Sequence, residues 1–242
     1  MILICPSAIA DAKMRMFNLD GSEGKMCGNG IRCVAKYLHD SGRVPKREMR
    51  IETLSGIKLL TLTTKNSLTE KITVDMGRAE LEPSKIPVNL PGNGPIVDCS
   101  VAIKTDLLKR GETEYRVTCV SMGNPHCVTF CNDVAGLDLK TLGPEFENNL
   151  ALFPESVNTE FIEVVDPNTL KMRVWERGSG ETMACGTGAC ASVVAAVLNG
   201  FCKKGEDITV ILNGGELVVN YTDERVLMTG GAEKVFEGVV EI

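Results

Sequence analysis

The sequence predicts an α+β protein built from two similar halves. Three observations predict it: one passage occurs twice, many short β-branched segments are punctuated by turn residues, and each half holds one long helix just after a Cys-Gly-x-Gly loop. The first copy reads Met14-Arg15-Met16-Phe17-Asn18, Glu23 and Cys27-Gly28-Asn29-Gly30. The second reads Met172-Arg173-Val174-Trp175-Glu176, Glu181 and Cys185-Gly186-Thr187-Gly188, offset by 158 residues throughout. Leu54-Ser55-Gly56 matches Leu212-Asn213-Gly214 at the same offset, and Gly77 matches Gly230 at 153. Solenoid repeats run about 20–50 residues, so a period this long reads as a duplicated domain. Two such halves facing each other would set two thiols across one cleft.

The elements follow in order. The apolar start Met1-Ile2-Leu3-Ile4-Cys5 reads as the middle of a buried strand. After Cys27, the residues Ile31, Val34, Ala35 and Leu38 fall at helical spacing and stop at Asp40-Ser41-Gly42. Strands are predicted at Met49–Thr53, Lys58–Thr63, Ile72–Met76, Ser100–Lys104, Arg116–Val120 and Cys127–Phe130. Further strands are predicted at Phe161–Val165, Leu170–Trp175, Ile208–Leu212, Glu216–Asn220 and Arg225–Thr229. A short helix is predicted at Leu137–Leu142, and a longer one from Ala189 to Leu198 that stops at Asn199-Gly200. Small apolar residues on every side of the latter mark it as fully buried. The half boundary is expected near Gly111–Tyr115, after the Pro91–Pro95 loop. The first half is then 1–113, joined by a last strand at 234–242, and the second is 114–233.

The duplication also shows an asymmetry. Met1 pairs with Thr159, yet the second copy has a long lead-in before Thr159 that includes Ser121-Met122-Gly123-Asn124-Pro125-His126. The first copy is therefore expected to lack its opening few dozen residues.

Composition narrows the class. The chain has 242 residues, 43% of them hydrophobic, enough for two cores. A net charge of −6 is the wrong sign for nucleic acid. No apolar run approaches the ~20 residues that span a bilayer, and the start has no basic n-region, so a cytoplasmic protein is expected. Ten Cys with only two His do not form zinc-type pairs, and no metal site is expected. Cys5, Cys99, Cys119, Cys127, Cys131 and Cys202 lie in apolar stretches and read as small buried hydrophobes. His39, at a helix end, reads as a local structural residue.

The chemistry points to the two loops. N–H groups at a helix N-terminus bind anions, and the same dipole end favours a thiolate. Glycines beside the Cys let the backbone close on a carboxylate. Each loop can thus hold a carboxylate and place a sulfur beside it. Two sulfurs flanking one α-carbon suggest removal of a proton on one face and its return on the other. That is racemase or epimerase chemistry, and no phosphate-cradling loop or other cofactor motif accompanies it, so no cofactor is expected.

Four motifs together resemble the diaminopimelate epimerase family. They are Phe17-Asn18-Leu19-Asp20-Gly21-Ser22-Glu23, Met26-Cys27-Gly28-Asn29-Gly30-Ile31-Arg32-Cys33, Ser121 to His126, and Trp175-Glu176-Arg177-Gly178-Ser179-Gly180-Glu181-Thr182 with Ala184 to Gly188. The resemblance runs over the whole chain. It implies interconversion of LL- and meso-2,6-diaminopimelate in lysine and peptidoglycan precursor synthesis. It also implies two pseudo-symmetric α+β halves, each a barrel-like, mostly antiparallel sheet around a central helix, with the active site in the cleft between them, and often a homodimer. Carried over by position, Cys27 and Cys185 resemble the two acid/base groups, and His126 and Glu176 the groups that tune them. Gly28, Asn29, Gly186 and Thr187 resemble the loop groups on the reacting carboxylate. Asn18, Asn124, Asn158, Glu176 and Arg177 resemble the substrate-binding side chains. The family's opening Gly-Asn-Asp-Phe/Tyr motif, counterpart of Gly123-Asn124-Pro125, would precede Met1.

Three other readings compete. Proline-racemase-like enzymes also use two Cys, but their first loop usually has His where this chain has Asn29. A catalytically incompetent remnant would fold and bind weakly. A thiol–disulfide redox protein would want a C-x-x-C motif, which is absent.

Overall fold

The computed structural model describes residues 1–18, 21–91, 94–104 and 112–240. Gly92 and Asn93 of the Pro91–Pro95 loop, and Gly111 at the expected half boundary, lie outside the described residues, as do residues 241 and 242 at the end of the expected last strand. The chain separates into two compact units, Met1–Asp75 with Thr229–Ile242, and Met76–Met228.

The first unit contains β1 (Ile2–Cys5), β2 (Ala12–Phe17), β3 (Glu23–Gly24), α1 (Gly28–Asp40), β4 (Glu48–Thr53), β5 (Gly56–Lys65) and most of β6 (Leu68–Gly77). Its strand order is β1-β2-β4-β5-β6, with β3 on β2, and only β2/β4 is parallel. Helix α1 forms where the apolar spacing predicts, and Ile31, Val34, Ala35 and Leu38 are its buried stripe. Ile31, Val34 and Leu38 each contribute roughly 1.5–3 kcal/mol on burial, and the single methyl of Ala35 about 0.8 kcal/mol. At the far end, Lys36 reaches the Thr69 carbonyl at 2.6 Å, and Asp40 accepts from the Thr69 N–H at 2.9 Å. His39 joins the same cluster, 3.1 Å from the Thr69 hydroxyl, in the local role expected of it. The start of the chain is a strand but not a buried one. Strand β1 ends the strand order, and Leu3 and Ile4 are 39% and 38% exposed, because an edge strand is covered on fewer sides.

The second unit contains β7 (Cys99–Lys104), β8 (Glu112–Ser121), β9 (Pro125–Phe130), α2 (Leu139–Glu147), β10 (Asn158–Asp166), β11 (Thr169–Glu176) and β12 (Gly180–Thr182). Then come α3 (Gly186–Leu198), β13 (Asp207–Leu212), β14 (Gly215–Tyr221) and β15 (Val226–Gly230). The order is β14-β13-β11-β10-β9-β8-β7, with β15 beside β14 and β12 on β11. The pairs β9/β10 and β11/β13 are parallel, and β7/β8, β8/β9, β10/β11, β11/β12 and β13/β14 are antiparallel. Helix α3 packs against β8, β9, β10, β13 and β14, and is buried from Ala189 through Ala196. A helix wrapped by strands has no wet face, which is why its sequence lacks an amphipathic stripe. Helix α2 runs past the expected Leu142 to Glu147 despite Pro144, because Phe146 is drawn into a core with Phe153 and Phe161.

The two units repeat each other in register. Ile2↔Met16 corresponds to Glu160↔Val174, and Met16↔Gly24 to Val174↔Thr182, all 158 apart. At the β4–β5 turn the register corrects the sequence match by one residue. Thr53↔Gly56 corresponds to Leu212↔Gly215, an offset of 159, because the turn glycines with positive φ are Gly56 and Gly215, not Gly214. Residues 231–240 have no regular secondary structure. All ten cysteines are free. Cys119, Cys127 and Cys202 are buried as expected, whereas Cys5, Cys99 and Cys131 are half-buried. Among the described residues no helix is long and apolar enough to cross a membrane.

Candidate active site

Each loop is built the same way. A two-strand ribbon enters it, braced by an Arg–Glu pair: Arg15 Nε and Nη2 each donate to the Glu23 carboxylate at 2.9 Å, and Arg173 Nε donates to Glu181 at 2.8 Å. The Cys then takes the N-cap position of the following helix with extended backbone, φ −135° at Cys27 and −115° at Cys185. In each case its Sγ accepts the N–H three residues on, from Gly30 and from Gly188, both at 3.3 Å. An N-cap is usually filled by a hydroxyl, amide or carboxylate oxygen that satisfies an orphan N–H. Here sulfur does so, at the positive end of the helix dipole.

Around Cys27, the half-buried thiol of the first unit, the support comes from Arg32. Its Nη1 donates to the Gly28 carbonyl at 3.3 Å and to Asn29 Oδ1 at 3.1 Å, while Nε donates to the Gly231 carbonyl at 3.2 Å. Arg32 thus fixes both expected loop residues. Asn18 is exposed in a turn. Its Nδ2 donates to Ser22 Oγ at 3.0 Å, and its backbone N–H to the Ser22 carbonyl at 2.8 Å. Leu19 and Asp20 of that motif lie outside the described residues.

Cys185 is buried, only 5% exposed. Burial holds its thiol well above the usual range, and the carboxylates of Glu176 and Glu160 add to the rise. Hydrogen bonds from Thr187 and the Gly188 N–H act the other way without cancelling it. Of the expected residues of this unit, Thr187 touches its sulfur, with Asn124 and His126 behind Thr187, whereas Asn158 and Arg177 bond elsewhere. Thr187 Oγ1 is 3.4 Å from Cys185 Sγ, and Asn124 Nδ2 donates to Thr187 Oγ1 at 3.4 Å. Asn124 Oδ1 lies 3.1 Å from His126 Nε2, and His126 Nδ1 lies 2.7 Å from Glu160 Oε1. Glu176 accepts from the Thr182 hydroxyl. Asn158 is buried and doubly engaged: Nδ2 donates to the Pro125 carbonyl at 2.7 Å, and Oδ1 accepts the Arg177 N–H at 3.0 Å. It therefore ties the Asn124 loop to the Glu176-Arg177 turn. Arg177 itself is exposed and donates to the Glu155 carbonyl at 2.6 Å.

Sequence reasoning passed over two supporting residues, Arg32 and Glu160. The signal for Glu160 was present: a carboxylate beside Phe161-Ile162 in a strand has to be paired if buried. Among the described residues no group of three or more His, Cys, Asp or Glu is placed to hold a metal ion.

Two N-cap thiols on matching helices, in units of one repeated α+β design, place the protein among the epimerase-type folds. Solved structures share that fold: a hydroxyproline epimerase from Agrobacterium vitis matches with TM-score 0.64 at 17% identity, over 95% of this chain and 71% of its own. A phenazine biosynthesis protein from Bacillus anthracis matches with TM-score 0.66 at 16% identity, over 95% and 80%. The family itself is settled by sequence. The diaminopimelate epimerase model matches residues 1–82 and 118–235. The diaminopimelate epimerase of Acetivibrio thermocellus is 50% identical over all of this chain and 83% of its own length. That of Methanococcus maripaludis is 47% identical, over all of this chain and 84% of its own length. The chain belongs to the diaminopimelate epimerase family.

Proposed function

We propose that the chain interconverts LL- and meso-2,6-diaminopimelate without a cofactor, supplying lysine and peptidoglycan precursor synthesis. Cys27 and Cys185 are the two acid/base groups. One takes the α-proton as thiolate, and the other, as thiol, returns a proton to the opposite face. The observation that supports this most is the repetition of one thiol geometry, sulfur at a helix N-cap bonded to the N–H three residues on, in a chain half identical to diaminopimelate epimerases.

An α-proton beside a carboxylate becomes removable only if the growing charge on that carboxylate is stabilised. The helix N-termini at Gly28-Asn29 and Gly186-Thr187 supply backbone donors for that purpose. Burial keeps Cys185 on the thiol side in the resting protein. Asn18, Asn124, Asn158, Glu176 and Arg177 hold the rest of the amino acid, with Asn offering donor and acceptor, Glu meeting ammonium and Arg meeting carboxylate. His126 and Glu176 tune the sulfurs. We further propose a cytoplasmic homodimer, which sedimentation equilibrium at twice the 26.1 kDa chain mass would support.

The test is conversion of LL-diaminopimelate in heavy water. Deuterium should enter the α-carbon as meso product forms. Cys27→Ala and Cys185→Ala should each abolish epimerisation, and near wild-type turnover by either variant would overturn the two-base reading. Equal or faster turnover of proline would favour the proline-racemase-like alternative. No exchange on either substrate would leave the incompetent remnant.

A further inference from the structure

We propose that Glu160 is a positioning residue for the second thiol: through His126, Asn124 and Thr187 it aims a hydrogen-bond donor at Cys185 Sγ, an arrangement for which the equivalent strand position beside Cys27 offers no group. The importance of Cys185 rests on the two-cysteine reading above, but the geometry does not.

The direction of the chain follows from the inventory of donors. The Asn124 carbonyl oxygen can only accept, so His126 Nε2 donates to it. His126 Nδ1 and Glu160 Oε1, 2.7 Å apart, then hold one proton between them whichever atom bears it. Asn124 Nδ2 donates onward to Thr187 Oγ1, and the Thr187 hydroxyl hydrogen is then free to point at Cys185 Sγ, 3.4 Å away, the direction a thiolate requires. Glu160 and His126 are both fully buried. Burial raises Glu160's hold on its proton, His126 pulls the other way, and neighbouring Glu176 adds to the rise. The other titratable groups acting on or near it are Cys127 on β9 and Cys185 itself.

The repeat supplies an internal comparison. The residue 158 before Glu160 is Ile2, in the same register on the same strand pair. A Cβ added at Gly30 would sit 2.4 Å from Ile2 Cδ1, and one added at Gly188 would sit 2.5 Å from Glu160 Oε1. The two side chains therefore occupy the same place against the first turn of their helices. A hydrocarbon suffices there for the fold. The carboxyl in the second unit is costly, since its Oε2 is buried with no hydrogen-bond partner. What the carboxyl provides in return is the bond from Oε1 to His126 Nδ1.

The experiment uses the full chain without substrate, so it stands whether or not the epimerase reading does. Alkylation of Cys185 by iodoacetamide is followed by peptide mass spectrometry, with Cys27 as internal control. Glu160→Met keeps the length of the side chain and removes its polar partner. It should slow Cys185 about tenfold and Cys27 less than about twofold, the loss of one hydrogen bond to a charged sulfur. Glu160→Gln restores the reaction, because its amide N–H donates to Nδ1 and keeps Nε2 a donor. Thr187→Val should match Glu160→Met, the double variant should add nothing, and Thr187→Ser should retain the wild-type rate. Faster Cys185 reaction in both Glu160→Gln and Glu160→Met would mean that Glu160 acts only as a repelling charge, and would overturn the proposal. No change in Glu160→Met, or a parallel change at Cys27, would overturn it too. Should Glu160→Met not fold, imidazole nitrogen NMR of the wild type decides. With only two His in the chain, the His126 signal is readily assigned; a proton on Nε2 supports the chain, and a bare Nε2 overturns it.

Discussion

Replacing Gly188 by Ala should destabilise the protein, while the matching change at Gly30 should not. Both glycines are in the first turn of a helix, where Ala gains up to about 1 kcal/mol over Gly. At Gly30 the new methyl would meet Ile2 Cδ1 at 2.4 Å, the free end of a half-buried side chain on an edge strand, which can rotate away. The net effect there is between zero and about 1 kcal/mol of added stability. At Gly188 the methyl would meet Glu160 Oε1 at 2.5 Å and Cys185 Cβ and Sγ at 3.2 Å. Glu160 is fully buried, and any retreat breaks its 2.7 Å bond to His126. A hydrogen bond to a charged group contributes about 1.5–3 kcal/mol, so after a helix gain of up to about 1 kcal/mol the loss is about 0.5–3 kcal/mol. For a chain of this size that lowers the melting temperature by roughly 1–12 °C. Urea denaturation and thermal melts of the two variants side by side measure the difference. A Gly188→Ala protein as stable as Gly30→Ala, with unchanged Cys185 alkylation, would refute the claim that Glu160 is pinned against this helix.

Arg32→Ala removes the donor shared by Gly28, Asn29 and Gly231, and should loosen the first loop by about 1–3 kcal/mol; hydrogen exchange should rise at 28–32 and 229–232 and stay unchanged at 185–190. Gly143→Ala would drive a methyl to 2.2 Å from the Trp175 ring and should cost about 1–3 kcal/mol, read from the fluorescence of the single Trp. Burial opposes ionisation of Asp40, but hydrogen bonds from His39, Lys36 and Thr69 outweigh it and hold its carboxyl below the usual range. A depressed folded pKa means this stability is present above the unfolded value of about 3.9 and lost as pH falls below it. Asp40→Asn should therefore flatten the acid limb of the stability profile, and an identical acid limb would count against this assignment.

The site was legible where chemistry is local in the chain. A Cys followed by Gly-x-Gly and an apolar helical stripe put each thiol at a helix start, and the recurrence of that passage at one offset marked the pair and the helix ends, while the Arg15–Glu23 and Arg173–Glu181 braces appeared only in the structure. Glu147, which accepts from Trp175 Nε1 and the Gly178 N–H, both at 2.7 Å, braces a loop residue through a helix that sequence spacing ended too early. Strand alternation could not say that Met1–Cys5 would lie at an edge, since burial depends on which neighbours the fold supplies. Nor could it say that the first five residues of β10 are buried on both faces, which places Glu160 against His126 from another strand and against Gly188 from a helix. Sequence by itself determined the two thiols and the repeated frame that holds them, because caps, turns and helical periodicity are short-range. Only the tertiary structure decided how those thiols differ, because hydrogen-bond direction and desolvation arise where distant strands meet.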